Sequence, residues 1–551
     1  MDFQRRTLLA IVLCVLIWIG YAAFLAPPPP EPKKDQDKVV VKATDDDDAP
    51  APSKASGATD TPVPADSKPA TPAAPEVKAE QHKLSTDLIS LTVGNLGGMV
   101  KRTELLSPQF RRGESGDDFL NLGEKSSLAI SFDAEFDDEK LDLQVPRSAG
   151  WEVVEKSAKL WSVRYKTLDA QVVADLSLTD GYEGKFTVKV TNRSSKRQSH
   201  RMLVRMQHGL AKEESSYDIH RGLCALDGGD DIEAFAQSDV SEQPGRSQGK
   251  IRWAGLDSKY FLQALVPTHV VKSCEVMLSK DGTALVNTIG SDKVTLEPNE
   301  VRTYEFGVYF GTKEVERLER YAVVTDVHLE DAVEWGWFGG LTRFLGEKML
   351  WLLRVFYGLT GIWGVAIILL TIVVKVLTLP LTFKQMTSMR KMKEIQPELE
   401  ALKKKYADDR VRQAQEMQAL FGRAGVKPLA GCLPMLVQLP IWIALYAMLN
   451  TAVELYREPF LWLPDLTQQD PFYILPLAMG ALMYFQMRMS PSGMDSEQAR
   501  MMAWMMPIVF TVMMLFLPSG LGVYIFANVV LSLIQTAIQL RTSPQAAAKK
   551  S

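Results

Sequence analysis

Cysteine is scarce in this chain of 551 residues. The four cysteines, Cys14, Cys224, Cys274 and Cys432, form neither a C-x-x-C pair nor a Cys/His spacing typical of zinc sites. Their small number excludes a fold held together by a disulfide framework, and we expect neither a metal ion nor another cofactor. For Cys224 and Cys274, which lie in the same part of the chain, the sequence leaves a disulfide and two buried thiols as alternatives.

Histidine is also rare, and the net charge is small. All six histidines precede residue 329, and the chain contains no G-x-S-x-G elbow, H-E-x-x-H helix or glycine-rich phosphate loop. The 62 basic and 66 acidic side chains leave a net charge of −4, so no basic excess points to a nucleic-acid partner. The sequence therefore gives no support for an enzyme or for direct recognition of nucleic acid.

Long apolar runs are present, and the first lies near Met1. Residues 7–26 are mostly apolar and follow Arg5 and Arg6, and about 20 helical residues cross a bilayer core of about 30 Å. We predict a transmembrane anchor over residues 1–26, with Met1 in the cytoplasm because basic flanks stay inside. A cleaved signal peptide is the alternative, although this run is longer than the usual h-region.

The next two segments differ sharply in composition. Residues 27–83 are rich in Pro, Ala, Asp, Lys and Thr and lack Phe, Tyr and Trp, which predicts a disordered periplasmic linker. Residues 84–325 show period-two alternation typical of half-buried strands, as at Phe186, Val188 and Val190. We predict a large periplasmic all-β sandwich there, with turns at Asp-Gly pairs.

The remaining chain is dominated by apolar and aromatic residues. Residues 333–356 are aromatic-rich but interrupted by charges, which predicts an amphipathic helix in the plane of the membrane surface with its aromatics toward the acyl chains. Packing of this helix against the β-domain is the alternative. Five apolar runs follow within residues 358–540, which we predict to be five spans. The runs are residues 358–383, 429–451, 472–489, 502–517 and 521–540, the last two joined by a tight turn at Pro518-Ser519-Gly520.

Basic residues predict the orientation of these spans. The loop 384–428 carries eleven Lys and Arg residues, whereas the loop 452–471 carries only Arg457. Both termini, including the tail 541–551, are therefore predicted to be cytoplasmic. The basic loop has a helical pattern with Met on one side, which predicts a helical hairpin that contacts anionic lipid or hydrophobic peptides, a solvated charged face being the alternative. The predicted fold is a multi-domain membrane protein with an N-terminal transmembrane anchor, a periplasmic all-β sandwich and a five-helix transmembrane core with a cytoplasmic helical hairpin.

Lys375 is the residue that points to a functional site. A charge inside a span costs at least about 2.5 kcal/mol, so it is expected to face water, a polar groove or a partner. A snorkelling lysine is the alternative, but a snorkelling lysine needs no polar neighbours, and polar residues at helical spacing accompany Lys375 and recur in the last span. The predicted groove residues are Thr371, Lys375 and Thr378 in the first of the five runs, Gln438 in the second, and Tyr524, Asn528, Ser532 and Gln535 in the last.

Apolar side chains are predicted to form the rest of this cavity. We assign a hydrophobic client path to Met435 and Trp442 in the second run and to Met505 and Met513 in the fourth. No Asp or Glu lies well inside the five runs, which argues against a proton-coupled carrier or a cation channel. The cavity is therefore expected to accept an acidic or polar guest.

Four stretches carry a resemblance to a known family. They are QPELEALKKKY from Gln396, VKPLAGCLPMLVQLPIWIALYAML from Val426, QDPFYILPLAMG from Gln469 and PSGLGVYIFAN from Pro518. With them the whole chain resembles the YidC, Oxa and Alb family of membrane protein insertases in its Gram-negative form. The resemblance implies a five-helix core around a groove open to cytoplasm and lipid, and a periplasmic β-sandwich. The family's single groove arginine falls on Lys375, so a bidentate arginine cannot be essential in this chain.

The expected function is insertion and folding of inner-membrane proteins, alone or with the Sec translocon. The implied partners are nascent membrane proteins, the lipid bilayer, and the Sec translocon and ribosome, with the ribosome at the cytoplasmic hairpin. A secondary transporter or channel with a large periplasmic domain is the alternative. A membrane-anchored carbohydrate-active enzyme that uses the β-domain is a third hypothesis.

Overall fold

A computed structural model describes thirteen parts of the chain, all within one compact unit, Glu76–Ser551. They are residues 77–96, 99–112, 118–119, 122, 127–132, 141–146, 148–210, 220–227, 232–336, 339–407, 409–425, 428–489 and 496–541. The predicted anchor over residues 1–26 and the predicted linker up to residue 76 lie outside the described residues, as does the predicted tail after residue 541.

Antiparallel strands dominate the first half of the described chain. Their bounds are β1 Gln81–Ser85, β2 Ile89–Gly94, β3 Val100–Leu105, β4 Arg111–Arg112, β5 Asp118–Phe119, β6 Ser127–Ser131, β7 Glu152–Lys156, β8 Leu160–Lys166, β9 Ala170–Leu178, β10 Glu183–Asn192, β11 Gln198–His200, β12 Leu203–Gly209, β13 Arg221–Leu226, β14 Ile232–Ala236, β15 Gly245–Gln248, β16 Ile251–Asp257, β17 Phe261–Pro267, β18 Val271–Leu278, β19 Ala284–Ser291, β20 Val294–Leu296 and β21 Val301–Thr312. The predicted linker therefore ends before residue 81, where β1 begins.

Two of the sheets are large, and they pack on each other. One has nine strands in the order β14-β13-β16-β17-β21-β10-β9-β8-β7, and the other has five in the order β15-β18-β19-β12-β6. The side chain of Asn287 in β19 donates to the carbonyls of Leu223 and Gly255 in the nine-stranded sheet. This crossing between sheets confirms the predicted β-sandwich.

The alternation in the sequence matches the sheet register. Phe186 pairs with Phe306, and Val188 with Tyr304, between β10 and β21, and all four side chains are buried. Every second residue therefore enters the core, as expected for a strand with one solvated face. The predicted turn at Asp180-Gly181 joins β9 to β10, and Gly181 has the positive φ of 67° that glycine adopts without strain.

Cys224 in β13 and Cys274 in β18 form a disulfide that links the two large sheets. Both residues are buried in the sandwich, and their Cα atoms lie 6.2 Å apart. The sequence left this pairing open, because only the packing of the sheets brings the two positions together.

We expect the disulfide to contribute strongly to the stability of the β-sandwich. It spans 50 residues, and closing a loop of that length lowers the entropy of the unfolded chain by an equivalent of about 4 kcal/mol. The double variant Cys224→Ser/Cys274→Ser should unfold at clearly lower denaturant concentration, and reductant should leave its midpoint unchanged. The control Cys432→Ser should keep the wild-type sensitivity to reductant. An unchanged midpoint in the double variant would contradict this expectation.

A buried histidine lies in the same domain. His200 hydrogen-bonds through Nε2 to the Tyr304 hydroxyl at 2.8 Å and packs against Phe132. Burial, assisted by the charge of Arg302, lowers the pKa of His200 to about 4. The ring of His269 also packs against Tyr304, with ring centroids 5.1 Å apart, and burial lowers the pKa of His269 as well.

The depressed pKa of His200 predicts acid sensitivity. Between pH 6.5 and about 4, His200 binds a proton in the unfolded chain but not in the folded domain. The free energy of unfolding therefore falls as the pH falls through this range. The His200 contribution amounts to about 3 kcal/mol. His200→Gln should flatten the dependence of unfolding free energy on pH over this range. A slope equal to that of the unchanged chain would show that His200 does not titrate in this way.

One helix replaces the end of the predicted all-β range. Residues Val315–Thr325 form helix α1, where the sequence prediction continued the β-domain. Val315, Leu318, Tyr321 and Ala322 are buried on one face, and their spacing is that of a helix. The period-two interpretation overlooked this short pattern because strong alternation in β21 directly precedes it.

Eight further helices make up the second half. They are α2 Gly339–Thr360, α3 Trp363–Glu394, α4 Gln396–Lys405, α5 Arg410–Arg423, α6 Pro428–Thr451, α7 Ile474–Met489, α8 Ser496–Met514 and α9 Ser519–Arg541. The five predicted apolar runs fall on α3, α6, α7, α8 and α9. Within the described residues, Trp363–Phe383 of α3 and Ser519–Ile538 of α9 are long and apolar enough to cross a membrane.

Helix α2 differs in part from its prediction over residues 333–356. Its inner face buries Thr342, Gly346, Leu350 and Leu353, and its outer face exposes an apolar stripe. The stripe consists of Leu341, Phe344, Trp351, Val355 and Leu359. Trp335 was predicted to face the acyl chains, but it is buried against Gly346, where the missing side chain leaves room for the indole. Trp337 and Phe338 lie outside the described residues.

Candidate functional site

Lys375 connects two apolar helices. Its ammonium group on α3 donates to Ser532 Oγ at 2.6 Å and to Asn528 Oδ1 at 3.3 Å, both on α9. The lysine is half-buried. A charged group in such surroundings is stabilised only if polar atoms replace its water shell, and α9 supplies two of them.

The hydroxyl groups of the two threonines near Lys375 donate hydrogen bonds to carbonyls of their own helix. Thr371 is buried and donates to the Ile367 carbonyl, and Thr378 donates to the Val374 carbonyl. Such back-bonding satisfies hydroxyl groups in apolar helices at little cost. Both hydroxyl oxygens retain the capacity to accept a hydrogen bond.

The polar face of α9 continues on both sides of the lysine contact. Tyr524 is buried, and Ser532 donates back to the Asn528 carbonyl. Within the described residues, both polar atoms of the Gln535 side chain are buried without a hydrogen-bond partner. An unpartnered buried amide costs about 1–3 kcal/mol, so a hydrogen-bonding guest at Gln535 would offset this cost.

The other predicted site residues lie on α6 and α8. Gln438 and Trp442 are half-buried on α6, where the Trp442 ring stacks with Tyr446. Met505 is exposed and Met513 half-buried on α8. The side chain of Met435 lies outside the described residues. The structure thus brings together Lys375, Asn528 and Ser532 of the predicted site residues.

A loop at the opposite end from the basic hairpin fixes the helix ends around this contact. We call residues 452–473 the α6–α7 loop. The Asp470 carboxylate accepts from the backbone N–H groups of Phe472 and Leu475, and so caps α7. Ser519 and Gly520 at the start of α9 donate to carbonyls of the loop at Gln468 and Leu466. The predicted turn before α9 is present, but these bonds direct α9 against α3 and α7.

The same loop joins the helices to the β-domain. Arg354 of α2 forms ion pairs with Glu454 in the loop and with Glu316 in α1. The Tyr456 ring lies 5.4 to 5.9 Å from the rings of Tyr260, Phe261 and Phe110. Sequence analysis missed this junction because each partner comes from a distant segment. The Asp470 cap was recognisable, since aspartate shortly before an apolar helix is a common N-terminal signal.

The basic loop is helical, as predicted. Helices α4 and α5 form its two arms, and Gln413 of α5 donates to the Lys403 carbonyl of α4 at 3.1 Å. Asp409 caps α5 by accepting from the Arg412 N–H. Leu399 and Leu420 are buried. The predicted stripe of Met386, Met389 and Met392 has side chains outside the described residues.

The described residues contain no group of three or more His, Cys, Asp or Glu that could hold a metal ion. The polar contact between α3 and α9 consists of an amine, an amide and hydroxyl groups. Such a set can bind carboxylates and peptide groups by hydrogen bonds and charge.

Two family models match the chain. The one described as "60Kd inner membrane protein" matches residues 355–546, and the one described as "YidC periplasmic domain" matches residues 81–352. The second includes the β-sandwich and α1, and the first includes α3 to α9. Together they cover both halves of the described structure.

Curated relatives carry the name "Membrane protein insertase YidC". The one from Anaeromyxobacter sp. is 42% identical over 316 residues, which are 57% of this chain and 56% of the relative. The one from Marinobacter nauticus is 35% identical over 371 residues, 67% of this chain and 61% of the relative. The chain thus matches little more than half the length of these relatives.

A solved structure is also similar. The alignment with a structure described as an active YidC insertase crystal structure covers 84% of this chain and 93% of the chain in that structure, with 17% sequence identity and a TM-score of 0.37.

Proposed function

Because this chain belongs to the YidC family, we propose that it is a membrane protein insertase of the bacterial inner membrane. Its relatives are named as insertases, which are not enzymes, so we assign no catalytic residue and no cofactor. The substrates we propose are nascent membrane proteins. The lipid bilayer is the second partner, because the inserted segments end there.

The observation that carries this proposal is the lysine contact between α3 and α9. A cation bound to Asn528 and Ser532 between two segments apolar enough to span a membrane, Trp363–Phe383 and Ser519–Ile538, supports a polar groove inside the membrane. A charge at this depth is rarely retained without a role. We therefore assign Lys375, Thr371, Thr378, Gln438, Tyr524, Asn528, Ser532 and Gln535 to the groove.

The groove would lower the barrier for moving a short polar segment across the membrane. The ammonium group attracts acidic residues of the segment, and neighbouring hydroxyl and amide groups replace its water. The apolar part of the client then leaves along Met435 and Trp442 of α6 and Met505 and Met513 of α8. Burial of the client's own apolar surface in lipid drives this last step.

The proposed topology follows the distribution of charge. Helices α3, α6, α7, α8 and α9 form a five-span core, and residues 1–26 form an anchor, with both termini cytoplasmic. The β-sandwich then lies in the periplasm. The exposed apolar stripe of α2 supports its placement in the headgroup plane. The hairpin 384–428 would contact the ribosome, and cooperation with the Sec translocon is part of the proposal.

Reconstitution tests the proposed activity. Proteoliposomes that contain only this chain should insert a small single- or double-span protein and protect it from external protease. Liposomes without protein, and liposomes with the Lys375→Glu variant, are the controls. A secondary transporter would leave client insertion at the level of empty liposomes, and that result would refute the insertase proposal.

A further inference from the structure

The α6–α7 loop ends in a strained apolar tip. Phe460 and Leu463 exchange two backbone hydrogen bonds of 2.8 and 2.9 Å, which leaves Leu461 and Trp462 at the turn. Leu461 has a φ of 55° and a 76% exposed side chain. Glycine adopts this left-handed backbone without strain, whereas leucine does not. Leu461 is therefore an exposed leucine at a position that neither the backbone geometry nor packing within the chain favours.

In the loop, the two aspartates form internal hydrogen bonds, whereas most of the exposed side chains are apolar. Asp465 and Asp470 cap loop and helix N–H groups, and Trp462 donates its indole N–H to Asp470. The exposed residues form an apolar rim with Gln468 as the polar exception. The rim consists of Pro459, Leu461, Pro464, Pro471, Phe472 and Tyr473.

The rim continues into the apolar start of α7, and the loop also contacts a helix with an exposed apolar stripe. Ile474 and Leu477, at the start of α7, are exposed directly after Phe472 and Tyr473. On the other side, the ion pair between Arg354 and Glu454 holds α2, with its exposed apolar stripe, beside the loop. Exposed apolar side chains therefore continue from the loop tip into α7, and α2, which carries its own exposed apolar stripe, is joined to the same loop.

We propose that the rim of the α6–α7 loop inserts into the boundary between headgroups and acyl chains, with Leu461 at its tip. Lipid fits this surface because the rim carries no charged side chain and adjoins α7, whose exposed residues from Ile474 to Phe485 are apolar, with Arg488 exposed only in the last turn. The inference depends on the proposal that α6 and α7 lie in the membrane, and it is independent of insertase activity. The loop thus anchors the ends of α6 and α7, and through Ser519 and Gly520 that of α9, at a defined depth.

Depth-dependent quenching of a fluorophore tests this placement. Single cysteines labelled with an environment-sensitive dye would replace Leu461, Phe485 and Leu168, in a chain whose Cys14 and Cys432 are serine. Phe485 is an exposed residue of α7 about 16 Å beyond its start, and Leu168 is a 96% exposed leucine in the turn between β8 and β9. Each variant is reconstituted in phosphatidylcholine and phosphatidylglycerol liposomes with nitroxide lipids labelled at the headgroup, carbon 5 or carbon 12.

We expect the dye at Leu461 to be quenched most by headgroup and carbon-5 nitroxides, the dye at Phe485 most by carbon 12, and the dye at Leu168 only by aqueous iodide. Quenching of Leu461 by iodide alone, with Phe485 still quenched by lipid, would overturn the loop placement and leave the membrane core intact. Absence of lipid quenching at Phe485 would overturn both. Shielding of Leu461 from iodide and lipid alike would mean that protein covers the tip, which also contradicts the inference.

Discussion

Replacing Lys375 with glutamate should reduce client insertion at least about tenfold. The carboxylate would lose the bonds that the ammonium group makes to Ser532 and Asn528, would stand unpaired between α3 and α9, and would repel acidic client segments. An uncompensated charge in such a site costs about 3–5 kcal/mol, which is more than tenfold in a rate. Protease protection of an acidic single-span client in proteoliposomes measures the effect.

Three variants separate charge from packing. Lys375→Arg should preserve insertion because it keeps the cation, and Lys375→Ala should impair acidic clients more than neutral ones. Lys166→Glu, at an exposed position at the end of β8, makes the same change of charge outside the contact and outside the hairpin, and should have little effect. Equal insertion of acidic and neutral clients by Lys375→Ala would favour a snorkelling lysine and refute the groove assignment.

Removing the hairpin should reduce client insertion about as strongly as Lys375→Glu does. Replacing α4 and α5, residues 396–423, with a short Gly/Ser linker deletes the paired arms held by Gln413 and Lys403 and six of the basic residues of the loop. If this hairpin collects clients or ribosomes, insertion should fall at least about tenfold, since several charge contacts of about 0.5–1 kcal/mol are lost together. Growth of a strain that has only the shortened chain measures the outcome.

Charge alone can be removed from the hairpin as a control. Replacing Lys403, Lys404 and Lys405 with glutamine leaves Leu399 and Leu420 buried and keeps the backbone carbonyl at position 403 that accepts from the Gln413 side chain. This variant should bind ribosomes more weakly but keep its fold and part of its activity. Normal growth and client insertion with the fully shortened chain would exclude the hairpin from function.

Patterns that repeat within a few residues were predictable from the sequence. Alternation in β10 and β21, the apolar runs of the long helices and the arms of the hairpin all depend on local burial, which composition records directly. Helix α1 was missed because its few buried residues follow a strand without a break. The position of Trp335 was also predicted wrongly, because its contact with Gly346 depends on how α2 packs and not on the aromatic content of the segment.

Contacts between distant segments were less predictable. The spacing of polar residues placed Lys375 and Ser532 on polar faces of their helices, but only the packing of α3 against α9 brings the two within 2.6 Å. The disulfide likewise needs both sheets in place. The junction of Tyr456 with Phe110, Tyr260 and Phe261 has no signal in any single segment, since aromatic residues are common in strands and loops alike.

The contacts of Arg354 imply an order of events while the chain is being made. Glu316 is synthesised before Arg354, whereas Glu454 follows it by 100 residues. Because domains fold in order of synthesis, the sandwich and its disulfide can be complete before Glu454 exists. Until then the guanidinium has only the largely exposed Glu316 as a partner. The ion pairs of Arg343 in α2 with Glu319 and Asp331 need no part of α6, whereas the contact between Arg354 and the α6–α7 loop forms only after α6 has been synthesised.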